Sequence, residues 1–203
     1  MKIKILVIIL IVLNIQLITA QNQKENTYYL TSELNLGNYL GVDFNLNYVF
    51  KNKYSIKVGF SENFRKPKSQ PDNYSGGILF KIPFDQFLNY KIDFGRIYNL
   101  DEKGTIRANI SIGIGYTRVK EPQNWQFVES EAWTNLSQNY TYSYRKYNTL
   151  SLTINPKIEF PITKFFGLSV SPMIQINKDR IYYGIGLGTM LGKLKQKTNH
   201  NTS

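Results

Sequence analysis

Apolar and polar side chains alternate with a period of two along most of the chain. Between Ile106 and Tyr116, every second residue is apolar and the residues between them are polar or glycine. Successive side chains of a β-strand point to opposite faces, so this period predicts strands with one apolar and one polar face. No segment has the period of a helix. The pattern predicts eight strands, at residues 27–36, 39–50, 54–64, 89–100, 105–119, 147–162, 167–178 and 181–192.

The lengths of the strands and of their connections predict how the strands are arranged. Each strand has the roughly 9 to 11 residues that a tilted strand needs to cross a bilayer. The connections at 51–53, 101–104 and 163–166 are short, whereas those at 65–88 and 120–146 are long. Outer-membrane barrels have short periplasmic turns and longer outside loops. We therefore expect an all-β fold, an eight-stranded antiparallel up-and-down transmembrane β-barrel over residues 21–192, with the strand-like segment 77–84 belonging to the first long loop.

The two ends of the chain differ from this barrel. Lys2 and Lys4 precede an apolar run at 5–17, and residues 18–20 form a plausible cleavage site. We interpret 1–20 as a secretory signal peptide rather than a membrane anchor, because Asn14 and Gln16 shorten the apolar run. Residues 193–203 have no apolar pattern, and we expect them to form a disordered polar tail.

Composition excludes several kinds of site. The 203 residues include no cysteine and one histidine, His200. Disulfides, thiolate metal sites and a Ser-His-Asp triad within the barrel therefore have no residues from which to form. We expect no catalytic activity, no metal site and no cofactor.

The polar face of the strands predicts a charged lumen. An eight-stranded barrel is just wide enough for side chains to fill its interior. Four acids and four bases fall on this face, which is compatible with an ion or proton path or with a salt-bridged plug. We favour the plug, because an unpaired buried charge is costly. The predicted lumen network consists of Glu33, Asp43, Lys57, Lys91, Asp93, Arg107, Lys157 and Glu159.

The two long loops contain basic and aromatic residues. Tyr140, Tyr142 and Tyr144 keep the parity of Leu150, which predicts that the sixth strand continues above the membrane. Such a sheet could bind an extracellular ligand or protein by strand addition or aromatic contact. Alternatively, its aromatic residues pack the loops together or rest on lipid headgroups. The candidate surface consists of Arg65, Lys66, Lys68, Phe80, Trp125, Phe127, Trp133, Tyr140, Tyr142 and Tyr144.

The net charge of +11 bears on partners. We expect Arg65, Lys66 and Lys68 to face lipopolysaccharide, and outer-membrane lipid to surround the barrel. Nucleic acid is not an expected partner, because the basic residues are spread over several turns instead of forming one stripe. A monomer is expected.

Together, the export signal, the eight alternating strands and the glycine-rich segment 184–188 resemble the small outer-membrane β-barrel family of Gram-negative bacteria, of the OmpA-barrel or OmpX type. Segments 66–71 and 154–160 resemble barrels of the Bacteroidota. The resemblance implies a location in the cell outer membrane and a structural or cell-surface interaction role. The last strand departs from the family because it lacks a terminal aromatic residue.

Three residues within predicted strands do not fit the pattern. Pro156 and Pro172 each remove a ladder donor and suggest bulges. Arg96 falls on the lipid face and suggests a bulge before it or a different register.

A soluble barrel is the alternative. A periplasmic lipocalin-like β-barrel would keep its apolar face inside, polar face in water, and bind a small apolar ligand. The two folds differ in which face of the strands is dry.

Overall fold

The computed structural model describes residues 26–76, 82–102, 104–128 and 138–194. The described ranges form one closed antiparallel barrel in which each strand pairs with its sequence neighbours and β1 pairs with β8. The fold class predicted from the sequence is therefore confirmed. The strands are β1 (Thr27–Gly37), β2 (Leu40–Phe50), β3 (Tyr54–Arg65), β4 (Asp85–Asn99), β5 (Arg107–Phe127), β6 (Tyr140–Pro161), β7 (Phe166–Asn177) and β8 (Ile181–Lys193).

Over the described ranges, no helix is long and apolar enough to span a bilayer.

The two faces of the barrel have opposite chemistry. Ile114 and Leu150 on the outer face are 70% and 77% exposed, whereas the inward-facing Lys57 and Asn109 are 1% and 0% exposed. Apolar side chains thus cover the outside and polar side chains fill the inside, as a bilayer requires. This arrangement excludes the soluble lipocalin-like alternative, whose interior would have to be apolar.

Two strands run well beyond their predicted bounds. β5 extends to Phe127 and β6 begins at Tyr140, so the loop between them shortens from the predicted 120–146 to 128–139. The predicted continuation of the sixth strand is confirmed. β4 begins at Asp85, and the other long loop shortens from 65–88 to 66–84. We call this end of the barrel the long-loop end and the opposite end the short-turn end.

Several expectations concern residues outside the described ranges. These include the signal peptide at 1–20 and the tail from 195 onward. Of the segment 77–84, only 82–84 is described, and those residues belong to no strand.

The two strand prolines do not form bulges. The β6–β7 register is the same at Ile154↔Ile174 and at Ile158↔Val170, and it places Pro156 opposite Pro172. The ladder is interrupted between those pairs because proline has no N–H to donate. The Asn155 side-chain amide donates to the Pro172 carbonyl across this gap, at 3.3 Å. The expectation of bulges is wrong, and the result is an unpaired stretch with an unchanged register.

Arg96 requires no change of register either. Its partners Tyr54 and Ile110 continue the regular ladders on both sides, and its side chain faces outward. It lies near the short-turn end of β4, with the guanidinium 5.1 Å from the Tyr98 ring centroid. A long cationic side chain at this level extends toward the headgroups, so it is accommodated on the lipid face.

Replacing Ile112 with arginine tests which face is dry. Ile112 is 54% exposed and lies midway along the apolar outer positions of β5. The variant should fold into lipid with a free energy of unfolding lower by about 2–4 kcal/mol, measured by urea titration in vesicles. Ile181→Arg, at an outward position of β8 at the long-loop end that is 56% exposed, is the matched control and should lose at most about 1 kcal/mol. Equal stability of both variants would contradict the membrane-facing assignment.

Candidate functional site

The middle of the lumen contains direct ion pairs. Lys157 pairs with Glu33, and Lys91 pairs with Asp43, with both partners of each pair buried. The hydroxyl groups of Ser169 and Ser171 also donate to Glu33. The barrel thus brings acids of β1 and β2 into contact with bases of β6 and β4. A buried charge with a close partner and further hydrogen bonds is compensated for its lost hydration.

Lys57 and Asp93 are held differently from the other predicted lumen residues. They are cross-strand neighbours on β3 and β4, but no salt bridge joins them. The Lys57 ammonium instead donates to the Asn155 side-chain oxygen at 2.8 Å. Both Asp93 carboxylate oxygens lack a hydrogen-bond partner among the described residues. The Asp93 carboxylate therefore interacts with Lys57 and Lys91 electrostatically, without a direct contact.

Two inward-facing glycines make room for these charged side chains. A Cβ atom at Gly113 would lie 1.9 Å from an Asp93 carboxylate oxygen, and one at Gly188 would lie 2.4 Å from Glu33 Cγ. Neither distance is compatible with a side chain in place. The space beside each of these glycines is therefore filled by the side chain of a neighbouring strand.

A second polar contact group lies toward the short-turn end. Arg107 Nε donates to Glu159 Oε2 at 2.6 Å, and the Tyr29 hydroxyl donates to Glu159 Oε1 at 2.7 Å. The Arg107 guanidinium lies 5.3 Å from the centroid of the Tyr29 ring. A buried apolar cluster adjoins them; it consists of Tyr29, Val49, Ile97, Met190 and Leu194.

An apolar layer also separates the charged middle from the long-loop end. Tyr39 packs edge-on against Phe87, with ring centroids 5.0 Å apart. Tyr182 lies 6.1 Å from Phe87 and 6.3 Å from Tyr39. The layer consists of Tyr39, Phe87, Val119, Met173 and Tyr182. The sequence pattern did not reveal it, although apolar residues at lumen-facing positions were a signal that could have done so.

A charged network covers this upper layer. Arg180, from the β7–β8 turn, contacts Asp85 and Glu121 and donates to the Tyr39 hydroxyl at 2.8 Å. Arg65 donates from Nε to Asp85 Oδ2 at 2.9 Å, and its guanidinium lies 4.2 Å from the Tyr39 ring centroid. Arg65 was expected on the loop surface, but it turns into the opening because Asp85 and Tyr39 bind it there.

The β5–β6 hairpin carries the predicted aromatic residues on one face. A register shift between Gln123 and Gln126 places two residues of β5 opposite one of β6, with Asn124 at φ 56°. This bulge brings Trp125 onto the outer face, where its ring lies 4.8 Å from that of Tyr142. Without the shift, Trp125 would have lumen-facing parity.

The loop between β3 and β4 is bound to this aromatic face. The Trp125 indole donates to the Ser69 hydroxyl at 3.2 Å, and the Tyr140 hydroxyl donates to the Asn73 side chain at 2.8 Å. Tyr74 lies edge-on to Trp125, with ring centroids 5.5 Å apart. Part of the aromatic set thus packs one loop onto the other.

The remaining candidate surface residues vary in exposure. Phe127 is 60% exposed, Lys66 and Lys68 are exposed, and Tyr144 is partly buried with the Lys120 ammonium 4.2 Å from its ring centroid. Phe80 and Trp133 lie outside the described residues.

One edge of the hairpin has no strand partner among the described residues. β7 ends opposite Ser151, so β6 from Tyr140 to Leu150 is paired only with β5. Pro156 lies in the β5–β6 ladder without an N–H, so its nitrogen points away from β5. The N–H groups of residues with the same parity, including Tyr144, therefore point to the open edge.

Within the described ranges, no group of three or more acidic or histidine side chains is arranged to hold a metal ion.

The fold is similar to solved structures of β-barrel proteins. The N-terminal β-barrel domain of Pseudomonas aeruginosa OprF matches with a TM-score of 0.53 and 10% identity, over 83% of this chain and 98% of that domain. The chain has the fold of a small eight-stranded transmembrane β-barrel. Ail of Yersinia pestis matches with a TM-score of 0.46 and 12% identity, over 83% and 96% of the two chains. Neisserial surface protein A matches with a TM-score of 0.46 and 9% identity, over 83% and 96%.

No protein-family model matches the chain, and no curated protein matches it in sequence.

Removing the Arg107 guanidinium tests the closed lumen. Arg107→Leu leaves the buried Glu159 carboxylate without its cation, so the free energy of unfolding should fall by about 3 kcal/mol. If the lumen is plugged, no conductance should appear in planar bilayers, because the substitution leaves both apolar layers unchanged. Arg96→Leu, an outward arginine near the same end, is the control and should melt like the wild type. A large new conductance with unchanged melting would overturn the plug.

Proposed function

We propose that this barrel resides in the outer membrane, with the long-loop end at the cell surface, and that the β5–β6 hairpin is its interaction surface. The fold shared with the OprF domain and the apolar outer face support the location. The longer connections lie outside in barrels of this kind, which supports the orientation.

The lumen serves as a structural plug in this proposal. The Lys157–Glu33, Lys91–Asp43 and Arg107–Glu159 pairs compensate charge within the barrel. The two apolar layers lie on either side of the charged middle. Passage of an ion would require breaking both layers and the Arg180 network, so the interior stabilises the barrel instead of conducting.

The open edge of β6 is the observation that carries the interaction role. Between Tyr140 and Leu150, this edge presents backbone donors and acceptors that no described strand occupies. An extended segment of a partner can add to such an edge through main-chain hydrogen bonds. The adjacent aromatic face, with Phe127 most exposed, supplies apolar contact area for the side chains of that segment.

The loop contacts make this surface suitable for binding. The hydrogen bonds from Trp125 to Ser69 and from Tyr140 to Asn73 hold the hairpin before any partner arrives. A preorganised surface loses less conformational entropy when it binds. The packing of the two loops and the binding role therefore support each other.

Two substitutions of Tyr144 separate strand addition from simple aromatic contact. Tyr144→Pro removes the ring and one edge N–H, whereas Tyr144→Ala removes the ring alone. Neither change removes a β5–β6 backbone hydrogen bond, because the Tyr144 N–H points to the open edge. We expect Tyr144→Pro to reduce retention of protein-displaying cells on surfaces coated with extracellular-matrix protein several-fold more than Tyr144→Ala does.

Folding of each variant is checked first by the shift in gel migration between unboiled and boiled samples. Equal losses for both variants would leave aromatic contact as the binding mode. Unchanged retention of both, and of a variant lacking residues 123–143, would refute the interaction role.

A further inference from the structure

Three cationic side chains cluster on the outer wall of the barrel. Arg118 and Lys120 occupy successive outward positions of β5, and Lys146 occupies an outward position of β6. Lys120 and Lys146 are direct cross-strand partners. None of the three belongs to the lumen, to the Arg180 network or to the aromatic contacts with the β3–β4 loop.

The cluster lacks compensating acids on the described part of the wall. No described carboxylate forms a salt bridge with Arg118, Lys120 or Lys146. Glu62 is two strands away from Arg118 and accepts a hydrogen bond from the Gln86 amide. Like charges directly opposite each other destabilise a strand pair. An anion beside Lys120 and Lys146 would remove that repulsion.

The position of the cluster identifies the source of the anion. Arg118 is two residues beyond Tyr116, or about 7 Å along the strand. Its guanidinium lies 5.8 Å from the ring centroid of Tyr90 and 6.0 Å from that of Tyr116. Tyrosines at this level mark the border between hydrocarbon and headgroups. The three cations therefore lie at headgroup level, directly above the exposed apolar wall that includes Leu150.

The wall also provides space for a headgroup. A groove of about 320 Å³ runs between these side chains, and its lining comprises Gln86, Leu88, Arg118, Val119, Lys120, Lys146, Tyr147 and Asn148. The Arg118 guanidinium can bind a phosphate with two parallel N–H donors. The two lysines add point charges, and Leu88 offers an apolar contact at the lower side.

We propose that Arg118, Lys120 and Lys146 bind the phosphate groups of a phosphorylated outer-leaflet lipid that packs against β4, β5 and β6. This site borders the interaction surface proposed above, because Lys146 lies within the open-edged stretch of β6 and the Lys120 ammonium lies 4.2 Å from the Tyr144 ring centroid. It rests on the same orientation of the barrel, with the long-loop end outward. If the hairpin proves not to mediate adhesion, this proposal still stands, because it is tested by lipid binding alone.

The test compares two triple variants of the full chain folded in detergent. Arg118→Gln, Lys120→Gln and Lys146→Gln together remove the cluster. The control combines Lys53→Gln, Arg96→Gln and Lys164→Gln, which removes the same charge at the short-turn end. Native mass spectrometry measures binding of diphosphorylated lipid A, of dephosphorylated lipid A and of inorganic phosphate.

We expect the wild type and the control to bind diphosphorylated lipid A, and the cluster variant to bind it about tenfold or more weakly. Dephosphorylated lipid A should bind all three proteins equally and weakly, because the acyl chains alone do not engage the cations. Heat-shifted gel migration confirms that each variant is folded.

Three outcomes would overturn the proposal. Equal binding by the cluster variant and the wild type would show that these side chains do not hold the phosphate. Equal losses of lipid A binding in both triple variants would show that binding depends on the net charge of the protein and not on this cluster. Binding of inorganic phosphate at the same affinity as lipid A would make the site a general anion site rather than a lipid site.

Discussion

Closure of the sheet between β1 and β8 is the constraint on which the rest of the structure depends. In a bilayer, every backbone N–H and C=O must find a partner within the protein, and a closed barrel is the way that strands achieve this. Closure with eight strands then fixes a narrow interior. Side chains that point inward must fit that space, and their charges must be compensated by one another. Side chains that point outward must be compatible with hydrocarbon.

The interior meets this demand in layers. Charged groups occupy the middle, where acids and bases from strands distant in sequence meet, as in the contact between Glu33 and Lys157. Buried apolar clusters lie on both sides of the charged layer. At the long-loop end, the Arg180 network forms a second set of charges, in which the side chains of Arg65 and Glu121 are partly exposed and those of Arg180 and Asp85 are largely buried.

The sequence predicts the strands and their faces well because the period of two is a direct consequence of strand geometry. For the same reason, the sequence predicts which side chains point into the lumen. It does not predict which of these side chains contact each other. Lys57 illustrates this limit: its contact with Asn155 depends on the register accumulated around the barrel, and no local spacing reports it. The end of β5 was missed because the outward positions after Tyr116 hold Arg118 and Lys120, so the apolar alternation stops well before the strand does.

The contacts of long side chains at the ends of strands are also not predictable from the sequence pattern. Arg65 and Arg180 leave the ends of strands, and their positions in the chain do not reveal that both reach Asp85. The apolar residues at lumen-facing positions, such as Phe87, were visible as exceptions to the pattern. Their meaning emerges only when the strands are closed and these exceptions fall at one level.

The facing prolines Pro156 and Pro172 weaken one seam of the closed barrel, the one between β6 and β7, because backbone hydrogen bonds are missing there. Apart from the bulge in the β5–β6 hairpin, backbone pairing of the described strands is continuous from β7 through β8 and β1 to β6, and the interruption within the barrel wall lies in the β6–β7 ladder. Local opening of a protein follows the boundary with the fewest hydrogen bonds to break. Opening of the barrel at this interruption would leave a sheet that starts at β7 and finishes at β6, a circular permutation of the order in which the chain is synthesised.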